Sequence, residues 1–126
     1  MTKQKPEIDF PGDTAPTELE ITDDVVGTGP EAKAGDTVAV HYVGVAHSTG
    51  EEFDASYNRG TPLQFKLGVG MVIPGWDQGV QGMRVGGRRT LRIPPHLAYG
   101  PNGVPGTIAP NESLVFVCDL EGVAGA

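Results

Sequence analysis

The sequence has very few of the residues from which disulfide frameworks and metal clusters are built. It contains one cysteine, Cys118, and three histidines among 126 residues, and no Cys-x-x-Cys or His-Glu-x-x-His motif occurs. An internal disulfide is therefore impossible, and we expect no metal ion and no cofactor. Cys118 lies in an apolar run, which predicts a small buried hydrophobic residue.

Positive charge is also scarce. Lys and Arg number 9 against 16 Asp and Glu, which gives a net charge of −7. This balance argues against nucleic acid and anionic membranes as main partners, because phosphate binding needs clustered cations. The one local cluster is predicted to be a solvated strand face and consists of Arg84, Arg88, Arg89 and Arg92. No apolar stretch follows the first residues, which predicts a soluble cytoplasmic protein.

Sequence signatures of phosphate loops and of nucleophilic catalysis are missing. Gly68-Val69-Gly70 has no third glycine and is not followed by Gly-Lys-Ser/Thr, and no Gly-x-Ser-x-Gly occurs. His41 is predicted to face away from Tyr42 on its strand and to lie at the surface. A covalent or metal-dependent mechanism would have to use residues without a sequence signature.

Turn residues, in contrast, are abundant. The chain has 19 Gly and 11 Pro, interleaved with apolar runs, which is typical of a turn-rich globular domain. Residues 1–17 are rich in proline and poor in apolar residues, and we predict an extended N-terminal arm there. Residues 18–126 are then predicted to form a single domain.

Apolar and polar residues alternate in several segments, which predicts five or six strands. The clearest segment is 37–44, where Val38, Val40 and Tyr42 share the inner face. The other predicted strands are a half-buried one at 18–22 and those at 52–56, 63–67, 88–93 and 113–121. Because their connections are short, we predict an antiparallel sheet.

The segment from Val72 to Trp76 predicts the start of a helix. Pro74 suits the first helical position, where its missing N–H would be unpaired anyway. Trp76, Val80 and Met83 are spaced as one apolar face, so a helix is predicted from Val72 to Met83, with its end marked by Gly82. One short helix against an antiparallel sheet makes an α+β fold.

Apolar residues from separate segments are candidates to meet around Trp76. They are Tyr42, Phe53, Phe65, Val72, Ile73, Trp76, Tyr99, Ile108 and Phe116. Their polar companions are Asp54, Arg59 and the hydroxyls of the two tyrosines. A mostly apolar lining with a few polar groups is typical of a small-ligand pocket, but the same residues would also build a hydrophobic core. The residue types alone leave both interpretations open.

The order and spacing of several motifs resemble the FKBP-type peptidyl-prolyl cis–trans isomerases, across about residues 18–122. The matching motifs are Val40-His41-Tyr42-Val43-Gly44, Phe53-Asp54-Ala55-Ser56, Val72-Ile73-Pro74-Gly75-Trp76-Asp77-Gln78-Gly79-Val80, Arg92-Ile93-Pro94-Pro95, Leu97-Ala98-Tyr99-Gly100 and the run from Ile108 to Phe116. The resemblance implies a strongly twisted antiparallel sheet of five to six strands, wrapped around one short α-helix. It also implies an apolar aromatic pocket that accelerates rotation about Xaa–Pro bonds and assists protein folding.

The resemblance further implies a role for each residue that matches the motifs. Trp76 would be the pocket floor, and the Ile73 backbone N–H and the Tyr99 hydroxyl would donate hydrogen bonds to bound carbonyls. Asp54 would hydrogen-bond with Tyr42 or Arg59. The implied catalytic residues are Tyr42, Phe53, Asp54, Trp76, Tyr99 and Phe116. The implied substrate-binding residues are Arg59, Leu63, Phe65, Met71, Val72, Ile73, Val104 and Ile108.

Three positions depart from the pattern of the best-known single-domain members, and they change the rim of the pocket. Leu63 stands where an aromatic residue is common, Val104 replaces a frequent histidine, and Met71 replaces a polar residue. The implied partners are proline-containing polypeptides and macrolides such as tacrolimus and rapamycin, bound by a monomer. One alternative is a binding module without significant turnover. A general chaperone ranks last, because residues 96–113 leave no room for the inserted domain of strong holdases.

Overall fold

Six antiparallel strands form one sheet in the computed structural model, which describes residues 14–124. The strands are β1 Glu20–Val25, β2 Thr37–Ala46, β3 Glu52–Ala55, β4 Leu63–Lys66, β5 Arg88–Ile93 and β6 Leu114–Ala124. Their order is β1-β5-β6-β2-β3, and β4 also pairs with β2. The predicted α+β architecture is confirmed. Residues 1–13 of the arm predicted for residues 1–17 lie outside the described residues.

The two longest strands, β2 and β6, form the centre of the sheet. They pair along their whole length, from Thr37 opposite Ala124 to Ala46 opposite Leu114. The predicted inner faces are confirmed, because the alternating apolar residues of both strands are buried in one hydrophobic cluster. These residues are Val38, Val40 and Tyr42 on β2, and Leu114, Phe116, Cys118 and Leu120 on β6.

The single α-helix of the described residues, α1 Pro74–Gly79, lies directly against β5. A Cβ atom on Gly75 would come within 2.6 Å of the Ile93 side chain, and one on Gly79 within 2.7 Å of Leu91. The helix therefore approaches the strand more closely than side chains at these two positions would permit. No helix in the described part of the chain is long and apolar enough to cross a membrane.

The helix is shorter than the spacing of its apolar residues predicts. Trp76, Val80 and Met83 are all buried as expected, but α1 begins at Pro74 and ends at Gly79. Gly82 has a φ of 92°, a left-handed conformation that bends the chain away from a helical path. Its N–H bonds to the Ala32 carbonyl instead of continuing the helical ladder.

Strand β1 also differs from its prediction. The strand predicted at 18–22 is present but begins at Glu20 and ends at Val25, and its predicted half-buried character is wrong, because all six of its residues are exposed. The reason is its position at the edge of the sheet, where β5 is its one neighbour among the described strands. Ile21, the apolar residue of the alternation, remains 45% exposed.

Polar residues behind the sheet are more buried than the sequence predicts. His41 is only 7% exposed, because a 3₁₀ turn at Ser56–Arg59 places the Tyr57 ring on it at 4.4 Å. Arg88 binds fully buried Asp119, and Arg89 binds Asp23 and is 8% exposed. The predictions of a surface His41 and of a solvated arginine face are therefore wrong at these residues.

Candidate active site

A cavity of about 170 Å³ opens beside α1, on the inner side of the sheet. Every residue that lines it is among the predicted site residues: Tyr42, Phe53, Asp54, Leu63, Met71, Val72, Ile73, Trp76, Tyr99 and Phe116. The structure thus brings together residues from six separate stretches of the chain. Tyr42, Trp76 and Phe116 also belong to the hydrophobic core, so these residues both complete the core and border an open space.

Four predicted site residues do not line this cavity. Phe65 is buried against the Trp76 ring, with ring centroids 5.6 Å apart, and supports the floor from within the core. Arg59 lies outside and contacts Asp54. Val104 and Ile108 bond to each other across a turn of the long loop before β6. For these four residues, direct contact with a ligand in the cavity stays a prediction.

The floor of the cavity is the Trp76 ring, which α1 carries toward the sheet. Tyr42 and Phe116 stand almost perpendicular to it, with ring centroids at 4.9 Å and 5.2 Å. The indole Nε1–H is buried and has no hydrogen-bond acceptor among the described residues. Buried indoles usually have a hydrogen-bond acceptor. Because this one has none there, the presence of tryptophan at this position is explained by its broad apolar face and not by hydrogen bonding.

The walls of the cavity depend on Gly44, a residue that the sequence motifs contain but whose role was not predicted. The Phe53 and Phe116 rings meet edge to face at 5.5 Å directly above it. A Cβ atom on Gly44 would lie 2.6 Å from Phe116 Cε1 and 2.7 Å from Phe53 Cζ. A glycine inside an otherwise β-branched strand is the sequence signal that indicates such a close approach.

The polar side of the cavity is a triangle of three side chains. The Tyr42 hydroxyl donates to Asp54 Oδ2 at 2.5 Å, and Arg59 Nη1 donates to Asp54 Oδ1 at 2.7 Å. Arg59 Nη2 also donates to the Tyr42 hydroxyl oxygen at 2.8 Å. Asp54 therefore bonds to both of the partners that the resemblance offered as alternatives.

These contacts fix the ionisation of both groups at neutral pH. Burial, together with the hydrogen bond to Asp54, raises the pKa of Tyr42 to about 12. Burial opposes ionisation of Asp54, but hydrogen bonds from Tyr42 and Arg59 outweigh it and hold the pKa of the carboxyl below its usual range. The phenol therefore stays protonated and the carboxylate stays charged.

Turnover of a prolyl peptide is accordingly expected to change less than about twofold between pH 6 and 9. A bell-shaped profile of turnover centred near neutrality would contradict the assigned ionisation states.

The raised pKa of Tyr42 also predicts that the free energy of unfolding falls as pH rises from about 10, where the unfolded tyrosine ionises, through about 12. Urea unfolding at several alkaline pH values measures this, and Tyr42→Phe should show a shallower loss.

Two hydrogen-bond donors at the mouth of the cavity are unused in the described residues. Neither the Ile73 backbone N–H nor the Tyr99 hydroxyl donates to a protein acceptor there. The Tyr99 side chain is 41% exposed, and burial together with the negative charge of Asp54 raises its pKa, so the hydroxyl keeps its proton. No cluster of three metal-ligating side chains occurs within residues 14–124.

Comparison with known proteins decides the family. Residues 29–121 match the family model of the FKBP-type peptidyl-prolyl cis-trans isomerases. The chain belongs to this family. It is 68% identical over 124 residues to the FK506-binding protein of Streptomyces anulatus, a match that covers 98% of this chain and 100% of that protein. It is 55% identical over 96 residues to the peptidyl-prolyl cis-trans isomerase FPR2 of Saccharomyces cerevisiae, covering 76% of this chain and 71% of that protein.

Solved structures of other FKBP-type proteins agree with this assignment. The crystal structure of AtFKBP13 superposes with a TM-score of 0.78 at 48% identity, over 87% of this chain and 96% of that one. The crystal structure of FkpA from Escherichia coli gives 0.79 at 46% identity, over 90% of this chain and 52% of that one. The predicted fold and the predicted peptidyl-prolyl cis–trans isomerase activity of this FKBP-type chain are confirmed.

Proposed function

We propose that the cavity above Trp76 receives the proline ring of an Xaa–Pro segment and is the place where the isomerase acts. The observation that carries this is a mostly apolar space of about 170 Å³ bounded by perpendicular aromatic rings. An apolar protein cavity of roughly 150 Å³ holds a benzene ring, so a five-membered pyrrolidine ring fits here. The proposed catalytic residues are Tyr42, Phe53, Asp54, Trp76, Tyr99 and Phe116.

The reaction requires rotation about an amide bond and no covalent intermediate. The barrier is roughly 18–20 kcal/mol, because rotation breaks amide resonance, and the uncatalysed step takes about 10–100 s. A turnover of about 10³ s⁻¹ would need roughly 10⁵-fold acceleration, or about 7 kcal/mol. No nucleophile or metal is needed for this, since no bond to the substrate is made or broken.

The dry aromatic floor lowers the barrier through its low polarity. In the twisted transition state the amide loses its charge separation, so it is less polar than the planar ground state. An environment that excludes water therefore favours the twisted form relative to bulk solvent. Trp76 and Phe116 hold the prolyl ring in place while the preceding carbonyl group turns.

The hydrogen-bond donors at the mouth bind the peptide in a bent conformation. The Ile73 N–H and the Tyr99 hydroxyl each donate to a substrate carbonyl, because neither has an acceptor within the described part of the protein. Asp54, held ionised by Arg59, fixes the Tyr42 hydroxyl and with it one wall. Binding energy from these contacts is realised more fully in the twisted conformer, which raises kcat.

The same cavity is proposed to bind macrolides of the tacrolimus and rapamycin type. Support comes from the name FK506-binding protein, which the Streptomyces anulatus relative carries at 68% identity. The rim residues Leu63 and Met71 line the cavity and extend its apolar surface. A monomeric state, a cytoplasmic location and Val104, Ile108 and Arg59 as binding residues remain predictions from the sequence.

The proposal is tested by the cis-to-trans relaxation of a short Xaa–Pro peptide with and without the protein. We expect relaxation to accelerate in proportion to protein concentration, and rapamycin to abolish the acceleration at one equivalent. Rapamycin without protein serves as the control. Acceleration that rapamycin leaves unchanged would place the reaction outside this cavity, and no acceleration would leave a binding module.

A further inference from the structure

The edge of β2 that faces β3 and β4 has a gap in its backbone pairing. Strand β4 pairs with residues Thr37 to Val40, and β3 pairs with Val43 to Val45. His41 and Tyr42 fall between these two pairings, where the chain leaves β3 for the 3₁₀ turn. A buried backbone N–H in such a gap needs another acceptor.

Ser56 supplies that acceptor. Its side-chain oxygen accepts the Tyr42 backbone N–H at 2.7 Å, in the place where a continuing β3 would offer a carbonyl. The Ser56 side chain is fully buried and does not line the cavity. It therefore contacts the backbone of a cavity residue without touching the space that a ligand would occupy.

The serine hydroxyl is itself held in place from behind. His41 Nδ1 lies 2.7 Å from Ser56 Oγ, and the imidazole ring stacks on Tyr57. The Tyr57 hydroxyl in turn donates to the buried carboxylate of Asp119. Because each side chain in this series of contacts is packed or hydrogen-bonded, the position of Ser56 Oγ is strongly fixed.

Tyr42 is consequently fixed at both ends by one short segment. Asp54 accepts its hydroxyl on the cavity side, and Ser56 accepts its backbone N–H at the strand edge. The ring between these two anchors stands at 4.9 Å from Trp76. Moving the backbone anchor would tilt the ring and change the shape of the cavity.

We propose that Ser56, oriented by His41, is a positioning residue for the isomerase reaction. It acts on Tyr42, and through Tyr42 on the wall of the prolyl cavity. This inference rests on the proposed role of that cavity. The chemistry needed at position 56 is a hydrogen-bond acceptor of the size of a hydroxyl, so serine and threonine meet it and alanine does not.

The test compares Ser56→Ala with Ser113→Ala, a second buried serine that does not line the cavity. Peptide relaxation is measured well below the melting temperature, so that both variants are folded. For Ser56→Ala we expect kcat to fall about tenfold with KM changed less than about twofold, as for an interaction realised in the transition state. Ser113→Ala keeps the kcat of the parent protein, and Ser56→Thr restores it to within about twofold.

Fluorescence gives a readout that does not depend on activity. Trp76 is the only tryptophan, so its emission reports the cavity floor directly. We expect the emission maximum to shift in Ser56→Ala and to stay unchanged in Ser113→Ala and Ser56→Thr. If the parent protein showed no relaxation activity, the proposed function would fail, while this shift would still test the positioning of Tyr42.

A folded Ser56→Ala variant with the kcat and emission of the parent protein would overturn the proposal. Should Ser56→Ala not fold, His41→Phe decides instead, because it keeps the stacking on Tyr57 and removes Nδ1. We expect His41→Phe to have a kcat about threefold lower than that of the parent protein. We also expect its emission maximum to shift. Parent-like kcat and emission in that variant would equally overturn the inference.

Discussion

Replacing Trp76 by alanine is expected to lower the turnover of a prolyl peptide by at least about a hundredfold. The substitution removes the floor on which the proline ring rests and admits water between Tyr42 and Phe116. It also removes a large buried side chain, so the free energy of unfolding should fall by about 3–5 kcal/mol. Peptide relaxation measures the first effect, and urea unfolding measures the second.

A second substitution and a matched control separate loss of the floor from loss of the fold. Trp76→Leu keeps part of the apolar volume and costs less stability than Trp76→Ala, yet it also lacks the broad aromatic surface. Met83→Ala empties a buried position that does not line the cavity, at a cost of about 2–5 kcal/mol. This control should keep parent turnover while folded. Full activity in a folded Trp76→Ala or Trp76→Leu variant would refute the site assignment.

Replacing Arg88 by methionine is expected to lower the free energy of unfolding by about 3–5 kcal/mol. The Asp119 side chain is fully buried and accepts two hydrogen bonds from Arg88, at 2.7 Å and 2.9 Å. Methionine fills part of the space of arginine but removes the cation and both of its hydrogen bonds from the buried carboxylate. Removing one partner of a buried ion pair is more costly than the net contribution of the pair itself.

Two further variants control this experiment. In Arg84→Met the lost pair with Glu31 is long, at 3.9 Å, and both side chains are about half exposed, so the change should stay below about 1 kcal/mol. Combining Arg88→Met with Asp119→Leu should recover much of the loss, because no buried carboxylate remains. A change of less than about 1 kcal/mol in Arg88→Met alone would contradict the cost assigned to breaking this buried pair.

The parts of the fold that the sequence predicted correctly depend on local periodicity. Strand β2 reads as a strict alternation, and burial of Val38, Val40 and Tyr42 follows from that period. The start of α1 follows from Pro74, since proline fixes the first helical dihedral angle. Eight of the ten residues that line the cavity lie in the ordered motifs, whose spacing reflects the path of the whole chain, and the other two are Leu63 and Met71.

The incorrect predictions concern contacts that no local period encodes. Burial of His41 depends on Tyr57, which lies sixteen residues further along and is placed against it by a 3₁₀ turn. Burial of Arg89 depends on Asp23 in an edge strand, and the end of α1 depends on a bend at Gly82. Alternation assigns a side chain to a face of the sheet, but it does not say what covers that face.

Gly44 sets a limit on how the ligand range of this isomerase can change by mutation. Since Phe53 and Phe116 occupy the space above it, even one added methyl group would require both rings to move. Variation that preserves folding is therefore confined to the mouth, where Leu63 and Met71 are partly or largely exposed to solvent. A library intended to alter selectivity should randomise these two rim positions and keep Gly44 and Trp76 constant.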